Sequence, residues 1–183
     1  MNTPNKLTIA RMIATPIFMA VMLIEALPYR FLIAMLLFAA ASLTDMIDGK
    51  IARSRNMITT FGKFADPLAD KMLTTAAFLV FIEKGITNSW PLFVVLIREF
   101  AVSGIRLSAA AEGEVIAASF WGKFKTVTQM AAIIIGLLMM CLPFIPESVT
   151  YLITEILVWI SVVFTIISGA EYIWNNRKLL KFK

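Results

Sequence analysis

Apolar runs of near-spanning length, separated by short clusters of Pro, Gly and charged residues, recur from one end of the chain to the other. Six runs lie roughly at residues 12–27, 31–48, 67–83, 90–106, 125–143 and 149–174. Crossing the hydrocarbon core takes about 20 apolar residues in a helix, and each run approaches that length, although several are short. Turn residues agree with this division: Leu27-Pro28-Tyr29, Gly85 to Pro91, and Pro143 to Ser148 each interrupt the pattern. The connections 49–66 and 107–124 are longer and richer in Gly or charge. Residues 3–11 read as a short amphipathic segment at the surface, ahead of the first span. The pattern predicts an all-α integral membrane protein, with six transmembrane helices plus a short N-terminal juxtamembrane amphipathic helix. No internal repeat is visible, and residues 1–183 form a single domain in this reading.

Composition supports the membrane class: 60% of the 183 residues are hydrophobic, well above a soluble domain. The distribution of charge adds orientation. Lys6, Arg11, Lys50, Arg53, Arg55, Lys63, Arg106, Lys123, Lys125, Arg177, Lys178, Lys181 and Lys183 fall on one side, against Arg30 and Lys84 on the other. By the positive-inside rule both termini are cytoplasmic, in the cell membrane. The basic tail from Arg177 reads as a topology anchor that meets anionic lipid headgroups, with no nucleic-acid partner implied. The N-terminus does not resemble a cleaved signal peptide, because Ala26-Leu27-Pro28 is a poor cleavage site. Histidine is absent, so any acid–base chemistry falls to carboxylates, lysine or tyrosine. Cys141 is the single cysteine. It excludes an intramolecular disulfide and reads as a packed small hydrophobe.

Against this background the acidic residues stand out. Asp45 and Asp48 are three apart at the cytoplasmic end of the second run, and Asp66 and Asp70 are four apart at the start of the third. Either spacing puts a pair on one helix face. Asp66-Pro67 predicts a helix start, with Asp as N-cap and Pro at the first helical position. Carboxylates in a membrane segment are costly and mark function by default. Four of them suit a hard divalent cation, Mg2+ or Mn2+, shared with substrate phosphates. Two helix ends could converge on one or two ions. In two-metal sites the ions lie ~3.5–4 Å apart and clamp the attacking and leaving oxygens at phosphorus. Gly49 and Gly62 allow close approach of a ligand to the backbone, and Arg53 could hold a phosphate through two parallel hydrogen bonds.

Asp45-x-x-Asp48-Gly49-x-x-Ala52-Arg53, followed at fixed distance by Gly62, Asp66 and Asp70, resembles the signature of the CDP-alcohol phosphotransferase family at every one of its fixed positions. The resemblance implies a six-helix membrane enzyme, commonly a homodimer, whose active site faces the cytoplasm and holds two divalent ions. It implies that Asp45, Asp48, Asp66 and Asp70 ligate metal and that Asp70 is also the base. Gly49, Ala52, Arg53 and Gly62 would contact the CDP group of the donor. Pro4-Asn5-x-x-Thr8-x-x-Arg11 and Gly122-Lys123-x-Lys125-Thr126-x-x-Gln129 are similar to segments of the phosphatidylglycerophosphate synthase branch of that family. Asn5, Thr8 and Arg11 would then meet the nucleotide as well. The reaction so implied moves a phosphatidyl group from CDP-diacylglycerol to sn-glycerol 3-phosphate, within a surround of membrane lipids.

A dianionic acceptor needs cations. Arg98 sits inside an apolar run beside Glu99, and Arg106 follows eight residues later. Arg98, Arg106 and Lys125 are the expected acceptor-phosphate pocket, with Lys123 and Lys63 as weaker candidates. Competing readings stay open here: Arg98–Glu99 as an ion pair between spans, and Lys123 and Lys125 as topology anchors. Inositol phosphate, serine or phosphatidylglycerol could replace glycerol phosphate as acceptor. Outside the family the alternatives are an ion-coupled transporter, which should show a pseudo-symmetric repeat, and a polyprenyl transferase with paired Asp motifs.

Overall fold

The computed structural model describes the backbone of residues 3–54, 60–111, 113–114, 116–117 and 119–177, and the side chains there except 3–4, 45–54, 60–64, 66, 67 and 70. Six helices account for it: α1 Thr3–Leu23, α2 Arg30–Ser54, α3 Thr60–Glu83, α4 Ser89–Ala111, α5 Phe120–Met140 and α6 Glu147–Asn175. Among the described residues, three are long and apolar enough to cross a membrane: Asn5–Leu23 in α1, then α5 and α6.

Two helix starts differ from the sequence expectation. Residues 3–11 are not a separate juxtamembrane helix but the first half of α1. No Pro or Gly lies between Asn5 and Thr15 to break the ladder, and Asn5, Thr8, Arg11 and Thr15 form one buried stripe along the helix. Asp66-Pro67 is not a helix start either, because α3 begins at Thr60. A run of lipid-compatible residues reports only the part of a helix inside the hydrocarbon, so polar extensions into the headgroup zone escape it.

Polarity in α6 is inverted relative to a soluble helix. Thr150, Thr154, Ser161, Thr165 and Ser168 are buried, while Leu152, Ile156, Ile160, Val163 and Ile166 face outward. The inward hydroxyls find backbone acceptors one turn back, as Thr154 does at Thr150 O (2.7 Å) and Thr165 at Ser161 O (2.8 Å). Small and hydroxylated residues inside, with branched apolar residues outside, is the arrangement expected of a helix packed in lipid.

Helix α1 packs chiefly on α2 and α3, α6 on α5 and α4, and α2 on α5 joins the two groups. Phe18, Phe38, Phe78, Phe81, Ile133, Leu137 and Val158 lie in the shared core. Where α5 meets α6 and α3, Gly136 permits the approach: a Cβ there would stand 2.7 Å from Thr154 Cγ2 and 3.3 Å from Phe81 Cζ. Thr154 is β-branched and its hydroxyl is already engaged, so it yields poorly. Gly136→Ala is therefore expected to destabilise the bundle by about 1–3 kcal/mol. The check is a melting curve in detergent, and an unchanged Tm would show that the α5–α6 seam gives way easily.

At the end of α3, Gly85 adopts φ +69°. Its N–H reaches Ile82 O, and Ile86 N–H reaches Phe81 O, both at 2.9 Å. This left-handed cap stops the helix with its last carbonyls satisfied. Nearby, burial and then the charge of Arg30 lower the pKa of Lys84 below the usual lysine value. Cys141 caps α5 as a free thiol.

Candidate active site

Helices α2 and α3 both run through the acidic motif. Asp45, Asp48, Gly49, Ala52 and Arg53 lie in the C-terminal half of α2, and Gly62, Lys63, Asp66 and Asp70 in the N-terminal half of α3. Their side chains lie outside the described residues, as does that of any metal group they form. Helical register still keeps Asp45 with Asp48 and Asp66 with Asp70 on one face each. The next residue on the stripe of Asp70 is Thr74, on the wall of a cavity of about 360 Å³.

That cavity lies among α1, α3, α4 and α5. Met19, Leu68, Leu79, Val95, Leu96 and Phe100 make its apolar wall. Its polar wall comes from Lys71 of α3, Glu99 of α4, and Lys125 and Gln129 of α5. Glu99 is the hub of this wall. Lys125 Nζ donates to Glu99 Oε1 in a short contact, and Arg98 Nη1 donates to the same oxygen at 2.9 Å. Lys71 Nζ stands 3.4 Å from Glu99 Oε2 and donates to Ser103 Oγ at 2.6 Å. Gln129 backs Lys125 at 3.5 Å and is itself fixed by its amide N–H to Thr165 Oγ1 at 3.2 Å.

Arg98 leads away from the cavity into the α4–α6 seam. Its Nη2 donates to Ser168 Oγ at 2.7 Å. Two glycines make room for it: a Cβ on Gly122 would lie 3.4 Å from Nη2, and one on Gly169 would lie 3.1 Å from Arg98 Cγ. Gly122 is also fixed as part of the α5 start, where its N–H donates to the Ser119 cap at 3.1 Å.

The expected acceptor residues are thus only partly brought together. Arg98 and Lys125 share the Glu99 carboxylate. Arg106 is two turns further along α4, about 12 Å by helical rise. There it is exposed and donates from Nε to Tyr172 Oη at 3.1 Å. Lys123 is exposed at the start of α5. Of the residues expected at the nucleotide, Asn5, Thr8 and Arg11 are buried on α1, at 8%, 0% and 2% exposure, and none is without a partner. A buried Arg at the polar end of a span requires such company.

Sequence reasoning passed over Lys71 and the hub role of Glu99. The signal for Lys71 was present, since it is a lysine inside an apolar run, but it is the immediate neighbour of Asp70. Residues 1–167 match the CDP-alcohol phosphatidyltransferase family. The chain belongs to that family. CDP-alcohol phosphatidyltransferases are enzymes, so the transporter and prenyl-transfer alternatives fall.

Relatives extend along the whole chain. The CDP-diacylglycerol–glycerol-3-phosphate 3-phosphatidyltransferase of Bacillus subtilis (strain 168) is 42% identical, covering 98% of this chain and 97% of its own. The protein of the same name in Rickettsia bellii (strain RML369-C) is 38% identical over 97% of this chain and 96% of its own. A probable phosphatidylglycerophosphate synthase of Mycobacterium tuberculosis (strain CDC 1551 / Oshkosh) is 33% identical over 94% of this chain and 80% of its own. The family resemblance read from the Asp45–Asp70 motif is therefore borne out.

Proposed function

We propose that this phosphatidyltransferase uses CDP-diacylglycerol as donor and sn-glycerol 3-phosphate as acceptor, giving phosphatidylglycerophosphate and CMP. The observation that carries the choice of acceptor is the cationic wall of Lys71 and Lys125 around Glu99, in a cavity whose opposite wall is apolar. An anionic headgroup and an acyl chain would find complementary surfaces there. The names of the relatives favour the same pair of substrates. Serine, by contrast, would leave this cationic wall without a phosphate to meet.

The donor set fits a divalent metal. The family motif implies Asp45, Asp48, Asp66 and Asp70 as the ligands, all oxygen donors carried on α2 and α3, while Glu99 is engaged by three cations. Bound Mg2+ or Mn2+, in two sites, would neutralise the diphosphate and polarise its phosphorus. Gly49, Ala52, Arg53 and Gly62, with Asn5, Thr8 and Arg11, would bind the CDP portion. Of the cations expected at the acceptor phosphate, Lys125 lines the cavity and would serve it; Arg98 and Arg106 point into the α4–α6 seam, Lys123 is exposed, and the side chain of Lys63 lies outside the described residues. Asp70 takes the proton from the carbon-one hydroxyl as its oxygen bonds to the phosphorus bearing diacylglycerol. The bond from that phosphorus to the bridging oxygen breaks, and CMP leaves with that oxygen.

In this reading all six helices cross the cell membrane, the chain is one domain, and both termini and the active site face the cytoplasm. A homodimer is part of the reading. The test is acceptor-dependent release of CMP by purified protein in detergent, given CDP-diacylglycerol and Mg2+. Release with glycerol 3-phosphate alone is expected. Release only with inositol phosphate, serine or phosphatidylglycerol would sink the acceptor assignment while leaving the family chemistry in place.

A further inference from the structure

Glu99 is given no role of its own in the reading above, and yet cations from α3, α4 and α5 converge on it. Lys71 arrives from α3, Lys125 from α5, and Arg98 from the adjoining position on α4. Its side chain is only 13% exposed, and those of Arg98 and Lys125 are 10% and 8% exposed. One partner suffices to compensate a buried carboxylate, and Glu99 can offset only one of the three charges it gathers. The remaining effect of the carboxylate is geometric.

Helix α4 holds Lys71 at two points one turn apart, Glu99 Oε2 at 3.4 Å and Ser103 Oγ at 2.6 Å. Lysine is a flexible four-carbon stem that loses much rotamer freedom when fixed. Here that freedom is removed before any ligand arrives. Lys71 keeps 34% of its side chain exposed and lines the cavity with Lys125. Arg98, in contrast, is wedged between Gly122 and Gly169 and tied to Ser168.

We propose that Glu99 is a positioning residue that holds the ammonium groups of Lys71 and Lys125 on the cavity wall, and that Lys71 is a contact of the acceptor's phosphate. The inference rests on the reading of the acceptor as a phosphate monoester. It separates two kinds of cation: Lys71 and Lys125 touch the ligand, while Arg98 fixes the frame that carries Glu99. An acid lining an anion site would otherwise repel the ligand it serves. Its benefit comes from ordering two lysines that would otherwise repel one another and swing apart.

The experiment uses full-length protein in detergent with Mg2+, varying glycerol 3-phosphate at saturating CDP-diacylglycerol and then the reverse. Wild type, Glu99→Gln, Glu99→Asp and Lys71→Met are compared. Lys71→Met and Glu99→Gln are expected to raise KM for glycerol 3-phosphate about tenfold or more, the loss of a charge-assisted contact. KM for CDP-diacylglycerol should stay within about twofold, since uniform binding is lost on one substrate only. Glu99→Asp, which keeps the charge, should recover part of the loss. An acceptor KM that is unchanged or lowered in folded Glu99→Gln overturns the proposal, because removing the acid would then relieve simple repulsion. An equal rise in both KM values overturns it too, as the mark of general loosening. Where neither Glu99 variant folds, Lys71→Met decides: an acceptor-only rise supports the proposal and an unchanged acceptor KM overturns it. Wild type that is inactive with glycerol 3-phosphate but active with another acceptor overturns the functional reading itself, an outcome distinct from active wild type with unaltered variants.

Discussion

Asp70→Asn is expected to lower kcat for CMP release by about 10²–10⁴-fold, the range for losing a positioned general base. Asparagine keeps the size and polarity of the side chain but accepts no proton near neutral pH. Histidine is absent from the chain, so no imidazole can substitute. Position adds to the case. Asp70 lies within α3, one residue before Lys71 and one turn before Thr74, both on the cavity wall. An acceptor whose phosphate meets Lys71 would thus have its hydroxyl end within reach of the preceding turn. Rates under single-turnover conditions, with enzyme in excess over CDP-diacylglycerol, separate chemistry from product release. A fall of less than about tenfold in folded Asp70→Asn would remove the base assignment, since general-base removal costs more than that.

The apolar pattern disclosed six helices, and the turn residues Pro28, Gly85 and Pro143 fall between them as expected. Where helices extend beyond the lipid, the pattern is silent. Residues 60–66 carry Gly62, Lys63 and Asp66 and read as a loop, yet α3 already includes them. In the first half of α1 the amphipathic helix was legible over residues 3–11, but its continuity with the span was not, because a buried polar stripe replaces the apolar one there.

The site divides in a similar way. Arg98 and Glu99 were visible as costly charges inside an apolar run, and the ion pair between them is present at 2.9 Å. That Glu99 also meets Lys71 and Lys125 depends on how α3 and α5 are rotated about α4, which no single-helix periodicity encodes. Arg106 shows the reverse case. Eight residues from Arg98, it lies on the same α4–α6 seam, but its partner is Tyr172 rather than the cavity. Spacing along one helix can put two residues on one face. Whether they serve one ligand is decided by the neighbouring helices.

Chelation of divalent cations is expected to suppress CMP release by at least about 10³-fold, in line with several kcal/mol of charge stabilisation by a catalytic metal. Mg2+ or Mn2+ should restore it, because the acidic motif offers only carboxylate oxygens and Cys141, at the far end of α5, is the single thiol. A second readout does not depend on turnover. A cation that binds only the folded protein raises its melting temperature by mass action. Wild type should therefore melt higher as Mg2+ is added, and Asp66→Asn should lose most of that rise. Asp66 lies inside α3 rather than at its start, so the substitution removes no helix cap and leaves the backbone ladder intact. A variant that keeps the full Mg2+-dependent rise would exclude Asp66 as a ligand. Activity that survives thorough chelation would instead remove metal from the chemistry, and leave the four aspartates as costly charges with some other task.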